Sequence, residues 1–240
     1  MGENKLTIPI AVIVAGALIG GAIYLTNRTP SDKPTDTDIK DEPQVPAVNA
    51  DDHILGNPEA PIVFVEYSDF ECPFCKDFHN SMHQIIDKYG ADGTVAWVYR
   101  HFPIAQLHSK ATIEAEATEC AADVGGNDGF WAYADRLFEV TPSNNGLNLD
   151  RLPEIAEEVG LDRNEFEKCL DDRKFRKEVS KSYQEAVDSG ARGTPHTVII
   201  VGDEQVPIEG AQPFSSLDGF VQSILNDGGF IGVPTIEEEG

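Results

Sequence analysis

Basic residues are scarce in this chain: 18 Lys and Arg stand against 42 Asp and Glu, for a net charge of -24 over 240 residues. Neutralising a phosphate backbone requires clustered cations, so a nucleic-acid partner is not expected. The acid excess reads as a solvated surface that keeps the chain soluble. Internal repeats are absent, which excludes a repeat architecture. Cysteine is rare as well, with only Cys72, Cys75, Cys120 and Cys169. An even number fits two disulfides without requiring any. Long apolar runs are missing except for one near the N-terminus.

That one run, "IPIAVIVAGALIGGAIYL" from Ile8 to Leu25, carries no charge. As a helix rising 1.5 Å per residue it would extend about 27 Å, close to the thickness of a bilayer core. It is expected to be a single uncleaved transmembrane anchor at residues 7–26, after a short segment at 1–6. No cysteine comes after it to take a lipid. Gly20 and Ala22 leave a cleavable signal peptide as the alternative. Lys5 precedes the run while Arg28 and Lys33 lie beyond it, and this charge balance does not favour export of the C-terminal side. Residues 27–50 are rich in Pro, Asp, Lys and Thr and show no apolar periodicity, so a disordered linker is expected there. An acidic tail is expected at 229–240.

Between these ends lies a folded unit, expected at 51–228. "PIVFVEY" (Pro61 to Tyr67) and "TVAWVYR" (Thr94 to Arg100) are nearly continuous apolar runs, as in strands covered on both faces. The segment between them has helical spacing, with Phe78, Met82, Ile85, Ile86 and Tyr89 on one stripe that ends at Gly90. Residues 104–190 read as helical throughout. Ile113, Ala117, Cys120, Ala121 and Val124 share one face, and Leu152, Ile155, Ala156 and Val159 another. Asp162 and Glu165 make a cap-like start before Phe166, Cys169 and Leu170. Phe175, Val179, Tyr183 and Val187 mark a longer helix stopped by Gly190. A hairpin turning at Gly202–Asp203 comes next, then a helix with Phe214, Leu217, Val221 and Leu225 on its apolar face.

The pair in "EYSDFECPFCKDFH" therefore opens a helix, with Pro73 near the first helical position, where its missing N–H costs little. Such a pair could clamp zinc, form a structural disulfide or exchange disulfides. Cys72, Cys75, His79 and His83 fall on one stripe and look like a ligand set. From Cys72 to His83, however, a helix climbs about 16 Å, whereas zinc ligands each lie about 2 Å from the ion. No metal is expected, although Cys75 with His79 leaves room for a partial site. His79 and His83 read as helix-face residues. His53, His101, His108 and His196 carry no specific signal.

The element order βαβ, helical block, ββα resembles the DsbA-like thiol–disulfide oxidoreductases over roughly residues 51–227. The matching stretches are "GNPEAPIVFVEYSDFECPFC", "RHFP" at Arg100 to Pro103, "RGTPHTVIIV" at Arg192 to Val201 and "IEGAQP" at Ile208 to Pro213. The resemblance implies an α/β thioredoxin-like fold with an all-helical insertion at about 104–190, preceded by the transmembrane helix and linker. It implies that Cys72–Cys75 is a redox-active disulfide, with Cys72 the exposed member, its thiolate favoured by the helix start. Cys75 would resolve or reform the bond. Thr194–Pro195 matches the family's cis-proline loop, which would present Thr194 to a peptide substrate. Glu66, six residues before Cys72, matches the buried acid that would take the proton of Cys75. Phe74 occupies the variable dipeptide, is expected to touch substrate, and leaves the redox potential open. Cys120 and Cys169 match a second, structural disulfide of some relatives; two buried free thiols are the alternative.

The implied function is introduction of disulfides into reduced or misoxidised proteins, without a cofactor. A membrane quinone-linked thiol oxidase would reoxidise the pair. The protein would be a monomer in the cell membrane, single-pass, with the catalytic domain outside the cytoplasm. The same site run as a reductase or isomerase, and a peptide- or metal-binding module without turnover, remain the alternatives.

Overall fold

The computed structural model describes residues 45–226. The expected segments at 1–6, 7–26 and 229–240 lie outside those residues, as does most of 27–50. Among the described residues no helix is long and apolar enough to cross a membrane. Val45 is buried and exchanges hydrogen bonds with the Gln205 side chain, at 2.8 and 3.3 Å. Chain packed in this way belongs to the folded unit rather than to a linker, which moves the expected boundary back from residue 51.

A five-stranded sheet forms the centre, in the order β1-β3-β2-β4-β5. The strands are β1 (His53–Gly56), β2 (Ile62–Ser68), β3 (Val95–His101), β4 (His196–Val201) and β5 (Glu204–Glu209). Only β2 and β3 run parallel; the other neighbours are antiparallel. The two apolar runs in the sequence are these two central strands, every residue of which is buried. Sequence patterning does not reveal β1, because four residues at a sheet edge are too few to establish a period of two.

Helix α1 (Pro73–Tyr89) crosses between β2 and β3. Helices α2 (Ala111–Val140), α3 (Leu152–Glu158), α4 (Arg163–Asp171) and α5 (Arg176–Asp188) form the insertion, and α6 (Phe214–Asn226) closes the fold. The insertion is not helical throughout: residues 102–110 and 141–148 are irregular, and α2 breaks at Gly126, whose φ is 67°. That angle suits a residue without a Cβ. Two of the expected apolar stripes end one position away from the buried face. Val187 and Leu225 are exposed, and their neighbours Ala186 and Ile224 take the buried positions. At 100° per residue a one-place shift near a helix end turns a side chain out of the core.

Alternation along β2 splits the core into two. Ile62 and Phe64 join Trp97 and Tyr99 of β3 against α1 and the insertion, whereas Val63, Val65 and Tyr67 face Ala186 of α5. By the same period Glu66 points into the larger core, on the α1 side.

Candidate active site

Strand β2 delivers the chain to the site through a turn tied down by Asp69. Its carboxylate accepts from the backbone N–H groups of Glu71 and Ile104, at 2.8 Å each, and from His108 Nδ1 at 2.9 Å. Cys72 then caps α1 with extended backbone, and Pro73 stands next in the first turn. The insertion comes up beside the turn. Asn144 N–H donates to the Glu71 carbonyl at 2.8 Å, Asn145 N–H to the Glu71 carboxylate, and Lys76 Nζ to the Thr141 carbonyl at 2.8 Å.

Opposite the helix start lies the loop before β4, where the Thr194–Pro195 peptide bond is cis. The Cys72 thiol donates to the Thr194 carbonyl at 3.4 Å. This loop covers Cys72 and leaves it only 5 % exposed, a correction to its expected exposure. Phe74, beside it, is 61 % exposed and projects from the surface. A groove of about 360 Å³ is lined by Arg192, Gly193, Thr194, Pro195, His196 and Glu209, on the loop whose Thr194 carbonyl meets Cys72. Burial holds the His196 ring below the ordinary histidine pKa.

Both cysteines are free thiols, and their environments pull them in opposite directions. A hydrogen bond with Cys75 lowers the pKa of Cys72 to about 6 against the cost of burial, assisted by the Thr194 side chain and by the N–H groups of Cys75 and Phe74. Cys75 is wholly buried; desolvation first, then Cys72, push it well above the ordinary thiol range. The Asp69 N–H reaches its sulfur at 3.4 Å. Burial raises Glu66 to about 7, outweighing the Ser68 hydroxyl and the Trp97 indole N–H, which donates to Oε2 at 2.9 Å. Glu66 lies close enough to Cys75 for the two charges to interact. A thiol that ionises easily, one that does not, and a carboxyl that titrates near neutrality thus sit together. Such a set can hold a thiolate at Cys72 and move a proton at Cys75.

Sequence reasoning passes over Asp69, Glu71 and Glu114. Glu114 of α2 is wholly buried, and burial together with neighbouring Glu71 raises it to about 9, so it is protonated at neutral pH. Two acids in the four residues before Cys72 are visible in "SDFEC", but most of what they bind comes from chain 35 to 74 residues away. Three of the histidines without a sequence signal also have buried carboxylate partners. Glu119 Oε1 accepts from His53 at 2.9 Å and His101 at 2.8 Å, and His108 bonds Asp69. Cys120 of α2 and Cys169 of α4 form a disulfide, with Cα atoms 5.8 Å apart.

A family model described as "Thioredoxin" matches residues 48–223. Among solved structures, Pseudomonas aeruginosa DsbA2 superposes with a TM-score of 0.61 at 26% identity, covering 79% of this chain and all of that one. A thioredoxin-like oxidoreductase from Silicibacter pomeroyi gives 0.59 at 27% identity, covering 74% of this chain and 94% of that one. Oxidised BdbD from Bacillus subtilis gives 0.62 at 22% identity, covering 73% and 93%, a likeness of fold alone. In sequence, the chain matches a Na(+)/H(+) antiporter NhaA of Salinispora tropica (34% identity over 60% of the chain) and one of Herminiimonas arsenicoxydans (32% over 81%). It spans only 21% and 30% of the length of those two relatives.

Proposed function

From a chain that belongs to the thioredoxin family, as a DsbA-like thiol–disulfide oxidoreductase, we propose a disulfide donor that oxidises reduced or misoxidised proteins through Cys72 and Cys75. The observation that carries this reading is the split between the two thiols, Cys72 held at about 6 and Cys75 well above its usual range. A stabilised Cys72 thiolate favours the reduced pair, so its disulfide is readily given up.

In the proposed cycle a substrate thiolate attacks Cys72 Sγ of the disulfide. The Cys72–Cys75 bond breaks, a mixed disulfide forms, and Cys75 leaves as a thiolate that takes a proton from Glu66. A second substrate thiolate attacks the substrate sulfur of the mixed disulfide and expels Cys72. The substrate loses two electrons and two protons; the cysteine pair gains both electrons, one proton restores Glu66, and the other passes to solvent while Cys72 stays a thiolate. Burial of Glu66 supports its role, because a carboxyl titrating near 7 can both give and take this proton. The groove at Thr194–Pro195 and exposed Phe74 would receive the substrate chain.

Such a donor works where glutathione does not keep thiols reduced. The proposal therefore puts the domain outside the cytoplasm, tethered through Ile8–Leu25, with a membrane quinone-linked thiol oxidase as electron acceptor. Equilibration with glutathione tests the chemistry: a potential above about -200 mV is expected, and one well below it would assign the site to reduction instead. Protease added to intact spheroplasts tests the location, and protection until lysis would refute it.

A further inference from the structure

His79 and His83 stand one turn apart on α1, a spacing that puts both rings on the same side of the helix. Asp135 reaches them from α2. Its Oδ1 lies 2.8 Å from His79 Nε2 and 2.8 Å from His83 Nε2, and the two ring nitrogens are 3.1 Å apart. Hydrogen bonding accounts for at most two sides of this triangle. If both rings donate Nε2–H to Asp135, the two N–H groups confront each other and neither accepts. If one nitrogen accepts from the other, it loses its bond to the carboxylate. A cation at the centre satisfies all three ligand atoms together.

We propose that His79, His83 and Asp135 form a binding site for a divalent transition metal, zinc being the best fit. Two imidazoles and a carboxylate suit zinc, and tetrahedral bonds of about 2.0–2.1 Å place neighbouring ligands about 3.3 Å apart. The observed triangle needs to open by about 0.5 Å at most to reach that spacing. The rings are already aimed. His79 packs on Phe138 and Trp97, with centroids 4.5 and 5.0 Å away, and His83 meets Trp97 edge-on at 5.4 Å. The site is buried on one side and open on the other: His79 is 4 % exposed, His83 32 % and Asp135 45 %. The open side leads to a shallow groove of about 320 Å³ that also includes Lys76 and Glu139. Lys76, the nearby positive group, is turned toward the carbonyls of Glu139 and Thr141, at 3.2 and 2.8 Å. Water would fill the fourth position. A metal here ties the helix carrying the cysteine pair to the insertion, and does so without using either cysteine.

Thiols also bind zinc, so the test titrates Zn²⁺ calorimetrically into the oxidised protein, in which Cys72 and Cys75 are joined. One equivalent is expected to bind, and His83→Ala and Asp135→Asn should each weaken it by at least about tenfold. Zinc should also raise the melting temperature of the parent and not of either variant. Both substituted side chains are partly exposed, and the variants' melting without zinc checks that they fold. Absence of binding would overturn the proposal. So would undiminished binding in both variants, which would move the metal to another cluster such as His53, His101 and Glu119.

Discussion

The chain has two pairs of cysteines, and all four cysteine side chains are packed into one apolar core. What separates the pairs is where each stands on its helix. Cys72 caps α1, with backbone N–H groups of the first turn aimed at its sulfur and the Thr194–Pro195 loop against it. Cys120 and Cys169 sit within α2 and α4, where the surrounding N–H groups already bond along the helix, and they join segments 49 residues apart. A helix start offers a thiolate unpaired donors, whereas a helix interior offers none. The first pair is thereby suited to exchange and the second to cross-linking, although burial alone does not distinguish them.

The largest effect should come from the group that serves only the first pair. Glu66→Gln keeps the shape but cannot give Cys75 its proton, so oxidation of a reduced test peptide should slow by about a hundredfold. Stability should move the other way. A carboxyl raised to about 7 in the fold favours the unfolded state increasingly as pH climbs from about 4.5 to 7. The glutamine variant should therefore gain about 3 kcal/mol over the parent at pH 8 and nothing at pH 4. Denaturant melts at the two pH values measure this, and an equal difference at both would remove Glu66 as a buried titrating group.

Breaking the second pair should reverse that pattern. Cys120→Ala with Cys169→Ala opens a loop of 49 residues, a loss of about 4 kcal/mol in the chain-entropy view. Peptide oxidation at a temperature where the variant is folded should stay within about twofold of the parent. A large rate loss in folded protein would mean that the two pairs exchange electrons.

The smallest effect is the sharpest probe of the difference. In the reduced protein Cys72 should alkylate at a rate that rises with pH and is half-maximal near pH 6, because only the thiolate reacts. Cys75, wholly buried and raised, should stay unlabelled over the same interval. Mass spectrometry after brief labelling separates them, and equal labelling would erase the contrast between the two thiols.

How much is legible in the sequence depends on the range of each interaction. The central strands, the helix opening at the cysteine pair and the hairpin at Gly202 are local, set by apolar period and turn residues, and they are readable as sequence. Edge strand β1 is not, since its pairing to β3 depends on residues 40 to 46 positions away. Within the site, the cysteine spacing and the proline at the helix start are plain. The cover over Cys72 is not, because it comes from residue 194, 122 positions along the chain. The histidines make the same point. His79 and His83 are visible as neighbours on one helix face, and the sequence sets them beside Cys72 and Cys75, too far along the helix to share an ion.

Sequence by itself determined the α/β pattern, the cysteine pair at a helix start and the acidic surface, since each depends on residues a few positions apart and on composition. Tertiary structure decided what those residues face. It buried Glu66 between Trp97 and the cysteines, laid the Thr194–Pro195 loop on Cys72, and brought Asp135 from the insertion to the two histidines. Desolvation and charge act over a few ångströms of space, and only folding brings distant parts of the chain within that range.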